Sequence, residues 1–268
     1  MLYKIVKKTA LVTLLVFFGY SCSTVPITGR RQLNMLPESE MLSMSFSQYD
    51  QFLKENQLSG DNDNTELVKR VGERIAAAVE TYFSEHGMEK RIEDFAWEFN
   101  LVNDDTPNAW CMPGGKVVVY SGILPVTKDE TGLAVVMGHE IAHAVARHGN
   151  ERMSQEMTVQ LGGTAVSILT EEKPEQTKNI FMAAYGMGSQ LAYTLPYSRT
   201  HESEADQLGL IFMAMAGYNP EEAVDFWQRM ASQGGQKPPE FLSTHPSDET
   251  RIQKLREFMP EANKYYNK

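Results

Sequence analysis

The chain has 268 residues, with 25 basic side chains against 35 acidic ones and a formal charge of −10. With 42% hydrophobic and 22% charged residues it can bury a sizeable core, which excludes a disordered or fibrous protein. The acidic balance argues against nucleic acid as a partner, because phosphate binding needs a basic face, and two cysteines exclude a disulfide-stapled scaffold.

The first residues depart from that average. Lys4, Lys7 and Lys8 precede an apolar run from Thr9 to Tyr20, followed by Ser21 and Cys22. The run is shorter than the roughly 20 apolar residues that a membrane-spanning helix needs. A basic start, an apolar centre and a small residue at the junction read as a secretory signal peptide over residues 1–21. The junction resembles the lipobox of bacterial lipoproteins, with Gly19 where the common pattern carries Leu. It implies a lipid on Cys22, which becomes the first residue of the exported chain, and Ser23 fits sorting to the outer membrane. Loss of the leader leaves 22 basic against 35 acidic residues, a charge of −13. Residues 22–36, with Pro26 and Gly29 and no periodicity, are expected to be a tether to a body over residues 37–268.

Pro37 suits the first turn of a helix running to about Glu55. After the polar loop from Ser59, a second helix is marked by Leu67, Val71, Ile75, Val79 and Phe83 at four-residue spacing and ends at Gly87 beside His86. Alternation from Phe95 to Val102 predicts a strand, and Gly114-Gly115 turns into a second, Lys116–Tyr120. Thr127 or Asp129 can cap a helix to Arg147, ending at Gly149. Helices are expected over about 151–169, 175–193, 198–215, 220–232 and 247–258. Two stretches rich in Ala, Gly and Met, Val159–Leu169 and Ile180–Leu195, are expected to be buried or groove-lining rather than transmembrane. The fold class is α+β and predominantly helical.

Function turns on His139-Glu140-Ile141-Ala142-His143. Positions i and i+4 share a helix face, so both imidazoles can reach one metal ion, and Glu140 stands beside the first to take a proton from water. A catalytic zinc site wants three protein ligands and an open position. The third is expected from Ser198-Arg-Thr-His-Glu-Ser-Glu-Ala-Asp206, where Glu202 and Asp206 share a face. Glu202 would complete a His2Glu set, and Asp206 would hold the far nitrogen of a ligand histidine. His201 and Glu204 are expected to be solvated or structural, and His148, five residues after His143, to lie off the ligand face in a structural role. Cys111 is expected to be buried beside Trp110 and Met112.

These motifs, with Pro196-Tyr-Ser-Arg199, resemble the gluzincin metallopeptidases of the HtpX and CAAX-prenyl-endopeptidase family. Asn108-Ala-Trp110, Pro113-Gly-Gly115, Ser243-Thr-His-Pro246, Arg251-Ile252 and the segment Val25–Leu33 resemble its periplasmic lipoprotein branch, which includes LoiP and BepA. The likeness is to the short members, without the C-terminal helical repeats of BepA. It implies a gluzincin-like domain with a small sheet packed on the motif helix, and one Zn2+ per chain held by His139, His143 and Glu202. By the same resemblance Glu140 is the general base, Asp206 a further site residue, and His245 a fourth ligand or gate. Arg199 is expected to pair with a site carboxylate. Asn108 and the strand residues Val117, Val118 and Val119 are expected to line the substrate, which would lie along that strand's backbone.

The expected function is hydrolysis of peptide bonds in unfolded or misassembled envelope proteins, by a lipid-anchored periplasmic enzyme. The outer-membrane assembly machinery is a possible partner. The alternative is a chaperone-like assembly factor whose peptidase is latent, with His245 over the open metal position.

Overall fold

The computed structural model describes residues 22–233 and 248–266. The leader, residues 1–21, and His245 lie outside the described residues. Among the described residues no helix is long and apolar enough to cross a membrane.

The expected tether is folded. Strands β1 (Cys22–Thr24) and β2 (Arg31–Leu33) pair antiparallel, with Ser23 opposite Gln32. Positive φ angles at Ile27 and Gly29 close the turn between them. Val25 is buried in the main core, which seats the hairpin on the body. Helix α1 (Glu38–Glu55) follows, then α2 (Asn62–Glu85), whose first turn is capped by Asp61 accepting from the Asn64 amide at 3.0 Å. The apolar stripe of α2 is realised as Val68, Val71, Ile75, Val79 and Phe83, all fully buried. His86 sits at its C-terminal cap, Nδ1 2.7 Å from the Tyr82 carbonyl.

A three-stranded sheet packs beside these helices: β3 (Glu98–Val102), β4 (Ala109–Met112) and β5 (Lys116–Tyr120). Its order is β3-β5-β4, with β5 parallel to β3 and antiparallel to β4. This topology corrects the expected substrate strand. Both edges of β5 are already paired, and Val117, Val118 and Val119 are fully buried, so its backbone has no edge to offer a peptide. The outer strand on that side is β4, which the sequence reading did not resolve as a strand.

After a short helix α3 (Leu124–Thr127), Asp129 caps α4 (Glu130–Val145) by accepting from the Gly132 amide at 2.9 Å. Twelve of the sixteen residues of α4 are buried, so it is a central helix enclosed on most sides, with an apolar surface broader than one stripe. It packs against α2, against β4, and most extensively against α7.

Helix α5 (His148–Leu169) and α6 (Glu175–Ser189) form an antiparallel pair, continued by a π-helical turn, Gln190–Thr194, into α7 (Leu195–Met215). The expectation was that these stretches are buried or groove-lining, and the structure corrects its first half. Leu161, Ile168, Leu169, Ile180, Phe181 and Met187 are each more than half exposed. The two helices satisfy each other instead: a Cβ on Gly162 would clash with the Tyr185 ring, and that tyrosine donates to the Val159 carbonyl at 2.9 Å. Their outer faces are left toward solvent. Helices α8 (Glu222–Gln233) and α9 (Asp248–Tyr266) complete the body, α9 packing on α7 and α8.

Candidate metal centre

Two glycines bring the site together. Helices α4 and α7 cross at Gly138 and Gly209, where a Cβ on Gly209 would stand 2.9 Å from the His139 amide nitrogen. Only a pair without side chains allows backbones this close, and the crossing brings His139 on α4 next to Glu202 and Asp206 on α7. His139 Nε2 lies 3.1 Å from His143 Nε2 and 3.6 Å from Glu202 Oε2, and His143 Nε2 lies 3.4 Å from Glu202 Oε1. The three side chains form a group that could hold a metal ion.

The chemistry of the donor set fits zinc. Ligand atoms about 2.0–2.1 Å from zinc at tetrahedral angles stand about 3.3–3.4 Å apart, which is the mean of the separations above. Two imidazoles and a carboxylate are also the donors of known catalytic zinc sites, which leave one position open.

The far nitrogens of both histidines have partners. His139 Nδ1 lies 3.0 Å from Asp206 Oδ1; a carboxylate only accepts, so this nitrogen carries a proton and Nε2 is the one left to meet a metal ion. Arg251 Nη2 is 3.1 Å from the same nitrogen but turns its hydrogen to Asp206, at 2.5 Å. Arg251 also lies 3.5 Å from Glu202 and 3.2 Å over the Trp227 ring, which in turn meets His139 edge-on.

His143 is held less directly. Its Nδ1 is 2.9 Å from Nδ1 of His148, whose Nε2 is 3.1 Å from Glu204 Oε2. Glu204 accepts from Nε2–H of His148, and burial pushes that imidazole down to about 3, so the ring is neutral with a bare Nδ1. That bare nitrogen accepts from Nδ1–H of His143, leaving His143 Nε2 as a lone pair. The two Nε2 atoms and a carboxylate then face one another. Burial and the Arg251 cation push His139 down, but Asp206 and Glu202 outweigh them and lift it to about 9. Burial holds His143 down at about 4. A proton held on His139 at neutral pH is what a metal ion would displace.

The contact between His143 and His148 overturns the expectation that His148 lies off the ligand face. That expectation assumed one helix through both residues. The structure breaks it at Arg147, which is left-handed (φ 61°, ψ 30°), so α5 starts afresh at His148 and swings the ring back onto His143. Of the two alternatives for Glu204 and His201, solvated or structural, the structure shows the second, both being buried. His201 is 2.9 Å from Glu151, and both acids meet Arg30 of the N-terminal hairpin.

Glu140 is half-buried beside His139 on α4. Burial and the Glu140 carboxylate push the thiol of Cys111, on β4, well above its ordinary range. The helix that carries Glu140 packs on that strand. Asn108, exposed just before β4, has its carbonyl taken by the Tyr120 amide at 3.0 Å. Arg199 is half-buried on α7, three residues before Glu202. The arginine that meets Asp206 is Arg251, whose motif resembled the family but whose role the sequence did not show. Arg30, His148 and Trp227 were likewise missed.

Residues 63–259 match Peptidase family M48. The chain is 35% identical over 254 residues to the mitochondrial metalloendopeptidase OMA1 of Schizosaccharomyces pombe, covering 92% of this chain and 69% of that protein. It is 37% identical over 183 residues to the OMA1 of Saccharomyces cerevisiae, covering 65% of this chain and 50% of that protein. It is 32% identical over 165 residues to the beta-barrel assembly-enhancing protease of Yersinia pestis, covering 60% of this chain and 34% of that protein. The expected enzyme class, metalloendopeptidase, is the one the OMA1 names carry. The chain therefore belongs to peptidase family M48.

Proposed function

We propose that this chain is a zinc-dependent endopeptidase that cleaves extended segments of unfolded or misassembled cell-envelope proteins. The observation that carries the reading is the donor triangle of His139, His143 and Glu202, with both far ring nitrogens committed and both Nε2 atoms turned toward Glu202. Those three side chains would hold the ion. A zinc ion held there would supply Lewis acidity, making water a nucleophile near neutral pH and polarising a scissile carbonyl.

The chain supplies the rest. Glu140 accepts the proton of the attacking water and delivers it to the departing amine. Arg251 and Asp206 keep His139 oriented through the reaction. The outer edge of β4 gives an extended substrate backbone groups to pair with, a mode that reads main chain rather than side chains and so suits unfolded protein. Asn108, at the start of that edge, stands where a substrate strand would end.

The location we propose is the bacterial periplasm, with the chain anchored by a lipid on Cys22, as the leader-like first 21 residues suggest. The beta-barrel assembly-enhancing protease among the relatives supports work beside the outer-membrane assembly machinery. Mass spectrometry of the native N-terminus tests the anchor: an unmodified Cys22 would remove it.

Glu140→Gln tests the chemistry. Zinc content should be unchanged while casein cleavage falls by about 10²–10⁴-fold, the usual contribution of a general base. Cleavage within tenfold of wild type would overturn the assignment.

A further inference from the structure

The hairpin β1–β2 reaches the metal centre through a continuous chain of polar contacts. Arg30, in its turn, spreads its guanidinium over two buried carboxylates that come from different helices. Nη1 and Nη2 donate to Glu151 at 2.7 Å each, and Nε and Nη2 donate to Glu204 at 2.8 and 2.9 Å. Thr28 adds a hydroxyl donor to Glu204 at 2.9 Å, and Gln32 donates to Glu151 at 3.2 Å and to the Ala146 carbonyl at 2.9 Å. Beyond Glu204 the path continues to His148 and from there to His143. On the other branch Glu151 holds His201, whose ring stacks on His148 with centroids 4.4 Å apart.

We propose that Arg30 is a positioning residue for the metal centre: through Glu204 and His148 it fixes the rotation and tautomer of His143, so that Nε2 faces His139 and Glu202. The proposal rests on the metal-centre reading above. Its physical basis is a count of donors and acceptors. Glu204 accepts from Arg30 on both oxygens, so its orientation is set by a rigid fork rather than by a single rotatable bond. A carboxylate held that way fixes where the His148 Nε2–H must point. The opposite ring nitrogen then has one direction in which to accept, and His143 is turned to meet it. Removing the fork frees the carboxylate to rotate, and the uncertainty passes along two rings to the ligand. The N-terminal hairpin is thereby part of the metal site through the path Glu204, His148, His143.

The test measures zinc affinity by competition with a chromophoric chelator, together with the visible spectrum of the Co2+-substituted protein. It compares the full chain with Arg30→Lys, which keeps the charge and loses the fork, in His148 and in His148→Ala backgrounds. Loss of a direct outer partner of a metal ligand weakens binding by about 10–100-fold; Arg30 acts two links farther out, so Arg30→Lys should weaken zinc binding by about three- to tenfold and alter the Co2+ spectrum. In the His148→Ala background the same substitution should change affinity by less than about twofold, because the path runs through that ring. An equal effect in both backgrounds would mean a general structural role and would overturn the proposal, as would wild-type affinity in a folded Arg30→Lys protein. Should Arg30→Lys fail to fold, Thr28→Val removes one donor to Glu204 and leaves the fork. Because that variant leaves the fork, Glu204→Gln is the deciding one: it offers one acceptor oxygen where the fork needs two, should weaken zinc binding about threefold with His148 present, and no change there overturns the proposal. If the wild-type chain itself bound no zinc, the metal-centre reading would fail, an outcome distinct from any of these.

Discussion

The two histidines of the centre are secured by arms of different length, and the difference follows from helix geometry. His139 is adjacent to the Gly138–Gly209 crossing, where α4 and α7 are close enough for Asp206 to reach its ring directly. His143 lies four residues farther along α4, about 6 Å from the crossing at 1.5 Å per residue. The gap there is filled by a second ring, His148, before a carboxylate, Glu204, is met. Each arm ends on an arginine from a distant part of the chain, Arg251 from α9 and Arg30 from the N-terminal hairpin. The short arm is stiff because it has one link. The long arm depends on its terminal clamp, because each added link is another rotation to be fixed.

The strongest way to break this comparison is to remove the two carboxylates in turn. Asp206→Ala should lower zinc affinity by about 10–100-fold and leave Arg251 buried with its closest partner gone, at a cost of about 3 kcal/mol in denaturant unfolding. Glu204→Ala should affect zinc less than Asp206→Ala does, because His148 still stands between it and the ligand. Chelator competition on both variants decides the point. If the two lost affinity equally, arm length would not matter.

What could be foreseen from the sequence divides along the same line. The donors lay in two helical segments, and i, i+4 spacing within a helix is enough to put His139 with His143 and Glu202 with Asp206 on common faces. Fold class and most helices followed from periodicity in the same way. His148 escaped because face arguments stop at a helix break, and nothing marks Arg147, a residue seldom left-handed, as that break. Arg30 and Arg251 escaped because pairing across 174 and 45 residues leaves no local pattern. Ala109-Trp-Cys-Met has no polar alternation, so β4 was invisible as a strand, while the apolar run of β5 looked like the substrate edge and proved central. The apolar faces of α5 and α6 were read as buried because periodicity reports hydrophobicity, not what covers it.

Acid probes the long arm by a different property. The long arm ends in two carboxylates, Glu151 and Glu204; burial pushes both up, but contacts to Arg30 and to His201 or His148 outweigh it and hold each at about 2. A group whose folded pKa is depressed contributes stability fully present above its ordinary value and lost as pH falls toward the folded one. For these acids the window runs from about 4.5 down to about 2. In the presence of chelator, the melting temperature of wild type should therefore fall more steeply below pH 4.5 than that of Glu204→Gln, which has one carboxylate fewer to protonate. Parallel curves would show that the Arg30 cluster does not contribute to stability in this way.

The smallest effect should come from the crossing that sets both arm lengths. Gly209→Ala introduces a methyl 2.9 Å from the His139 amide nitrogen, against backbone that cannot rotate away, so α7 must slide or lift by a few tenths of an ångström. Overpacking of this kind destabilises by about 1–3 kcal/mol. Because Glu202, Glu204 and Asp206 all ride on α7, the displacement is common to the ligand and to both supporting carboxylates. Its effect on zinc should add to that of Arg30→Lys, since the two act on different degrees of freedom, the helix position and the rotation of one side chain. Zinc affinities of the single and double variants measure this directly, and strong non-additivity would mean that Arg30 acts by holding α7 against α4 rather than by orienting His143.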